Sequence, residues 1–206
     1  MGLNRRIDYR KLGATGATLY QTDAMTTIST ADGHPLVVRR LVAADAVALQ
    51  AFNPALSPQT LDWFVPHAYD DRTVAKILAR SEARDDYILG VFDDDRIAGY
   101  FFLWYFTHRV PLLGIGLIDE FQDRGLGRQM MQILIDAAKE NGNEGIALTT
   151  MLDNHRAFAL YEKLGFKYEG DVENVTGDGD VVVERGMFYP IKPGARGYDG
   201  NYRPPV

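Results

Sequence analysis

The stretch "QDRGLG", residues 122–127, sets two glycines one residue apart where an apolar run, "PLLGIGLI", gives way to a helical pattern. Beyond it, Leu126, Met130, Ile133, Leu134 and Ala137 recur at helical spacing, and "NGN" at 141–143 supplies a C-terminal stop. A strand that runs through a Gly-rich turn into a helix makes an anion site. The first amides of such a helix have no partner, and the helix dipole is positive there. Gly125 and Gly127 have no side chains to hold a pyrophosphate away from those amides, while Arg124 and Arg128 add positive charge at the rim. The bland alternative is a tight turn that needs small residues. Two rival nucleotide motifs fail on the letters: Met130 stands where a dinucleotide fingerprint needs a small residue, and no Gly-Lys-Ser/Thr of a P-loop occurs.

The flanking segments read as alternating elements. "TTIST" and "LVVRRL" form a hairpin whose turn is Asp32-Gly33. "AADAVALQAF" is a short helix, "TLDWFV" a second that stops at Pro66, and residues 72–84 a third with Val74, Ile77 and Leu78 on one face. "YILGVF" and "IAGYFFLWYF" form a second hairpin through "DDDR". The latter run is too short to span a membrane and reads as a strand buried on both faces. "GIALTTML" is the next strand, "NHRAFALYEKLG" the next helix, and "FKYEGDVE" and "DVVVERGMFY" the last strands. The last is a candidate sheet edge and so a candidate homodimer contact. Hairpins with one strand-helix-strand crossover predict an α+β fold around a single sheet. Residues 1–25 read as an N-terminal extension, 26–191 as the domain, and 192–206 as a Gly/Pro-rich tail.

Composition narrows the function. The 206 residues are 46% hydrophobic and 24% charged, which suits a folded domain. A net charge of −6 gives no footprint for nucleic acid. It suits a cationic acceptor such as an amine, or is ordinary solubility charge. The chain has no Cys, and its four His residues show no paired spacing, so neither a thiolate nucleophile nor a metal is expected. The first thirty residues contain no sustained apolar run, and a cytoplasmic protein without membrane contact is the expectation.

In "DNHRAFALYEKLGF", Asn154, Phe158 and Tyr161 share a helix face. An amide and a phenol there suit a polar cleft; the alternatives are a helix cap at Asn154 and a core tyrosine at 161. Taken together, the two stretches resemble the GNAT acyltransferase superfamily. Gln122, Gly125 and Gly127 match its phosphate-binding pattern, and Asn154, Ala157, Leu160, Tyr161, Gly165 and Phe166 match its later one. The resemblance spans about residues 36–188.

It implies an α/β/α sandwich with a mixed, mostly antiparallel sheet of about seven strands, splayed at the centre, with acetyl-CoA in the gap. It further implies that the backbone at Leu117, Ile118 and Asp119 holds the pantetheine arm and polarises the thioester carbonyl. The amides of Asp123, Arg124, Gly125, Leu126, Gly127 and Arg128 would receive the pyrophosphate, Gln122 and Asn154 would contact the cofactor, and Tyr161 would protonate the departing thiolate. The implied activity is direct N-acetyl transfer to a primary amine of a small molecule or protein. A catalytically silent acyl-CoA-binding module is the alternative, and a longer acyl donor would be opposed by bulk at Phe101, Leu103 or Leu117. His108, Asp119 and Glu120 are candidate bases, and no base is assigned. Trp63, Phe64, His67, Tyr69 and the loop at 107–111 are candidates for the acceptor pocket. Asp119 departs from the family pattern, in which Pro is common at that position.

Overall fold

Asp32 and Gly33 turn the first hairpin, with Gly33 at φ 93°, and join β1 (Thr26–Ser29) antiparallel to β2 (Pro35–Arg40). The computed structural model describes residues 25–175, 181–197 and 204–206, so the N-terminal extension up to residue 24 and tail residues 198–203 lie outside the described residues. Three short helices follow: α1 (Ala46–Phe52), α2 (Pro58–Trp63) and α3 (Asp71–Glu82). Ser57 caps α2 by accepting from the Thr60 amide, with Pro58 as its first residue; Asp70 caps α3 by accepting from Arg72 and Thr73.

The second hairpin is β3 (Tyr87–Asp93) and β4 (Arg96–Trp104), and β4 is buried from Ile97 onward. β5 (Leu112–Leu117) leads through the glycine loop into α4 (Leu126–Asn141), which ends at Gly142 in the left-handed conformation. Then come β6 (Gly145–Met151), α5 (His155–Leu164), β7 (Lys167–Val175) and β8 (Val181–Pro190).

The sheet has eight strands where about seven were expected, in the order β1-β2-β3-β4-β5-β6-β8-β7. All neighbours are antiparallel except β5 and β6. That parallel pair is joined at the single register position Leu112↔Ala147, so beyond it the two strands part. The splay falls at the crossover through α4.

One expectation is corrected. β8 is no sheet edge: it pairs with β6 on one side and β7 on the other, and β7 is the outer strand. A homodimer formed by edge pairing of β8 is therefore excluded, because its ladder is already taken on both sides.

Alternation along β4 assigns the layers. Tyr100 and Phe102 face the first helices, with the Phe52 and Phe64 rings each 6.1 Å from that of Tyr100. On the opposite face, a Cβ at Gly99 would meet Met130 of α4. The side chain of Leu160 in α5 lies beside Gly127, so α4 and α5 share that second layer. The result is an α/β/α sandwich with its core on both sides of β3 and β4. No helix among the described residues is long and apolar enough to cross a membrane.

Candidate active site

Gly125 sits at φ 79° and begins α4 without a side-chain cap. No acceptor takes the backbone amides of residues 123–127 among the described residues. Five unpaired donors therefore lie at the positive end of a 16-residue helix, and three of their residues, Asp123, Gly125 and Gly127, line the cleft that opens beside them. A Cβ at Gly125 would meet nothing within 4 Å, and one at Gly127 only Leu160 at 3.4 Å. Packing does not require the absence of a side chain at either place; the left-handed backbone favours glycine at 125, and both positions leave the neighbouring amides uncovered. The set fits an anion.

Gln122 fixes the loop. Its amide nitrogen donates to the Leu117 carbonyl at 3.0 Å and the Thr60 hydroxyl at 3.1 Å, and its carbonyl oxygen accepts from Arg156. Arg156 also pairs with Asp123 at 2.8 Å, so one guanidinium from α5 clasps the loop before α4. Sequence reading missed Arg156, whose only local signal is its place two residues after Asn154 beside the matched motif.

A cleft of about 450 Å³ opens from this loop. Leu117, Gln122, Asp123, Gly125, Gly127, Arg128, Asn154 and Tyr161 line it. Ile118, Asp119, Arg124 and Leu126 are not among its lining residues. Ile118 is buried and donates its amide to Ala98, Leu126 is core, and the Arg124 guanidinium lies 5.8 Å from the Phe121 ring centre. Asn154 caps α5 by accepting from the Ala157 amide at 3.1 Å, so the cap reading and the cleft reading hold at once. Tyr161 is buried, its hydroxyl has no hydrogen-bond partner among the described residues, and burial pushes its pKa up. It remains a proton donor throughout the neutral range.

The two carboxylates once considered as bases lie elsewhere. Asp119 accepts from the amide and hydroxyl of Ser57 and from the Thr60 hydroxyl. Burial acts upward on its pKa, but these hydrogen bonds prevail and hold it below the ordinary carboxylate value. These contacts tie it to the cap and first turn of α2. Glu120 pairs with Arg96. His108 is exposed and lines neither this cleft nor its neighbour.

That neighbour is a wider cleft of about 900 Å³ on the α1–α2 side of the gap, sharing Trp63, Phe64, Leu113, Gly114 and Thr149 with the first. His67 and Tyr69 line it, and the loop at 107–111 does not. From β4 it receives Phe102 and Trp104, the face opposite Phe101 and Leu103. Asp62, Asp153 and Glu184 supply its carboxylates. The Trp63 indole donates to Asp153 at 3.0 Å, tying the end of α2 to the start of α5 across the splay.

Residues 50–166, over half of the chain, match the model of the acetyltransferase (GNAT) family. Over 73 residues the chain is 37% identical to the ribosomal protein bS18-alanine N-acetyltransferase of Salmonella typhimurium, covering 35% of this chain and 49% of that one. The chain thus spans about half the length of the curated relatives it matches. Among solved structures, Mycobacterium smegmatis RimJ in complex with CoA-disulfide aligns with a TM-score of 0.68 at 14% identity, covering 85% of this chain and 91% of that one. The structure of yncA from Salmonella typhimurium with its cofactor acetyl-CoA aligns at 0.61 and 20% identity, covering 80% and 99%. At such identities the two structures speak for the fold.

Proposed function

Because this chain belongs to the GNAT acetyltransferase family, we propose that it transfers the acetyl group of acetyl-CoA directly to a primary amine of a small molecule or a protein. The observation that carries this reading is the row of unpaired amides at 123–127, which opens onto a cleft reaching Tyr161 between the parted strands β5 and β6.

In this reading the amides from Asp123 to Gly127 hold the pyrophosphate, and Gly125 and Gly127 leave it room. Arg128 adds charge at the rim, while Arg124 contributes its backbone alone. Gln122 and Arg156 keep the loop in position. The unzipped edge of β5, ending at Leu117, runs beside the pantetheine arm, and backbone donors there polarise the thioester carbonyl. Asn154, its oxygen committed to the cap, offers its side-chain nitrogen to the cofactor.

The amine enters through the wider cleft, where Asp62, Asp153 and Glu184 attract its ammonium form. After loss of a proton, its nitrogen bonds to the acetyl carbon as the carbon–sulfur bond breaks. Tyr161 donates its proton toward the departing sulfur, and the proton that the acetylated nitrogen sheds restores the phenol by way of water. No nucleophile from the protein takes part, in keeping with a chain that has no Cys. The Salmonella relative is named for the alanine of a ribosomal protein, which supports a protein α-amine among the acceptors.

Thiol release tests the reading. Incubation with acetyl-CoA and a panel of primary amines, including peptides that begin with Ala, should release one thiol per acetylated amine. Acetyl-CoA binding without acetylation of any amine would leave the silent binder instead.

A further inference from the structure

Three side-chain polar atoms among the described residues are buried without a hydrogen-bond partner: Asn53 Oδ1, the Tyr69 hydroxyl and Trp104 Nε1. All three residues line the same wide cleft. A fold ordinarily pairs its buried polar groups, so three orphans on residues that line one cleft mark a place where an outside group, admitted by a small turn of these side chains, completes the set. Resting on the acceptor reading of that cleft, we propose that Asn53, Tyr69 and Trp104 form a specificity subsite for a primary carboxamide carried by the acceptor.

The donor and acceptor inventory selects the group. Trp104 can only donate, and Tyr69 keeps its proton because burial raises its pKa. Asn53 presents an acceptor. A carboxamide oxygen has two lone pairs for the indole and the phenol, and its nitrogen has a proton for Asn53. A carboxylate would set negative charge against Asn53 Oδ1 in a cleft already lined by Asp62, Asp153 and Glu184. An ammonium, which only donates, would leave the indole N–H of Trp104 unpaired.

Aromatic rings flank Tyr69 and Trp104. The Trp104 ring stacks on Phe102 at 4.0 Å, and the His67 ring lies 4.6 Å from Tyr69 and 6.3 Å from Trp104. His67 is not a competing partner. Its Nδ1 donates to the Ala68 carbonyl at 2.7 Å and its Nε2 accepts from the Tyr100 hydroxyl at 3.1 Å, so both ring nitrogens are used. Desolvation lowers its pKa, which keeps the ring neutral.

The chain has two Trp residues, so its indole N–H spectrum holds two side-chain signals, and Trp104→Phe assigns them. Titration of the full chain with butanamide, without acetyl-CoA, should move the Trp104 signal downfield to saturation. Butanoate and butylamine should act at least roughly tenfold more weakly, and Tyr69→Phe should weaken butanamide by a similar factor, each near 1.4 kcal/mol. No movement with butanamide, or an equal response to all three probes, overturns the subsite and leaves the three atoms to buried water. Since acetyl-CoA is absent, this result is independent of whether the glycine loop binds the cofactor.

Discussion

Asp119, just beyond β5, accepts hydrogen bonds from both the amide and the hydroxyl of Ser57, at 2.9 and 2.7 Å, across 62 positions of the chain. This contact links the strand that lines the narrow cleft to α2, which ends in Trp63 and is followed by Phe64. Through it the geometry of the acceptor side depends on the loop of the cofactor side.

Asp119→Ala should therefore cost about 1 kcal/mol of stability in urea denaturation at pH 7. It should also raise KM for the amine more than for acetyl-CoA. Because the folded-state pKa is depressed, this stabilisation is present above the unfolded value of about 3.9 and is lost as pH falls through the folded value. The gap between variant and wild type should close in acid.

Gly125 and Gly142 share one backbone conformation, at φ 79° and 81°, and neither would find a neighbour within 4 Å of an added Cβ. Gly125→Val and Gly142→Val should each lose about 1–2 kcal/mol of stability to left-handed strain. Only Gly125→Val should also lose acetyl-CoA affinity, by roughly 100-fold. Equal affinity in the two variants would return Gly125 to a turn residue.

Tyr161→Phe removes a hydroxyl with no partner among the described residues, so stability should change little. The kcat should fall roughly 100-fold while acetyl-CoA affinity stays close to wild type. Burial raises the pKa of this phenol, so its ionisation should produce no descending limb in the pH–rate profile below about pH 10. The folded state holds the proton more tightly than the unfolded chain. Its contribution to stability is complete below about pH 10 and is lost only as pH rises beyond that toward the folded pKa.

Arg156→Ala breaks contacts to Gln122 and Asp123 made by groups that are half or more exposed on the Arg and Asp sides. Stability should stay within ~0.5 kcal/mol. Acetyl-CoA affinity should drop roughly tenfold, because the loop amides lose their clasp.

Local signals made much of this architecture readable. Asp32-Gly33 announced a hairpin, the glycines at 125 and 142 bracketed α4, the hairpins around a single crossover pointed to an α+β fold around one sheet, and the resemblance of the two motifs implied the sandwich. Four features depend on distant partners. β4 is apolar on both faces, so the letters could not tell Phe102 and Trp104, which face the wide cleft, from Phe101 and Leu103, which do not. β8 enters between β6 and β7, a nonlocal insertion that its own pattern does not encode. Arg156 acts on residues more than thirty positions away, and Asp119 on a helix sixty positions away.

The central claim is that the amides behind "QDRGLG" receive the pyrophosphate of acetyl-CoA, and calorimetric titration of the purified chain with acetyl-CoA tests it most directly. One acetyl-CoA should bind per chain to saturation, roughly 100-fold more weakly in Gly125→Val and with unchanged affinity in Gly142→Val. A folded wild-type chain that takes up no acetyl-CoA would contradict it.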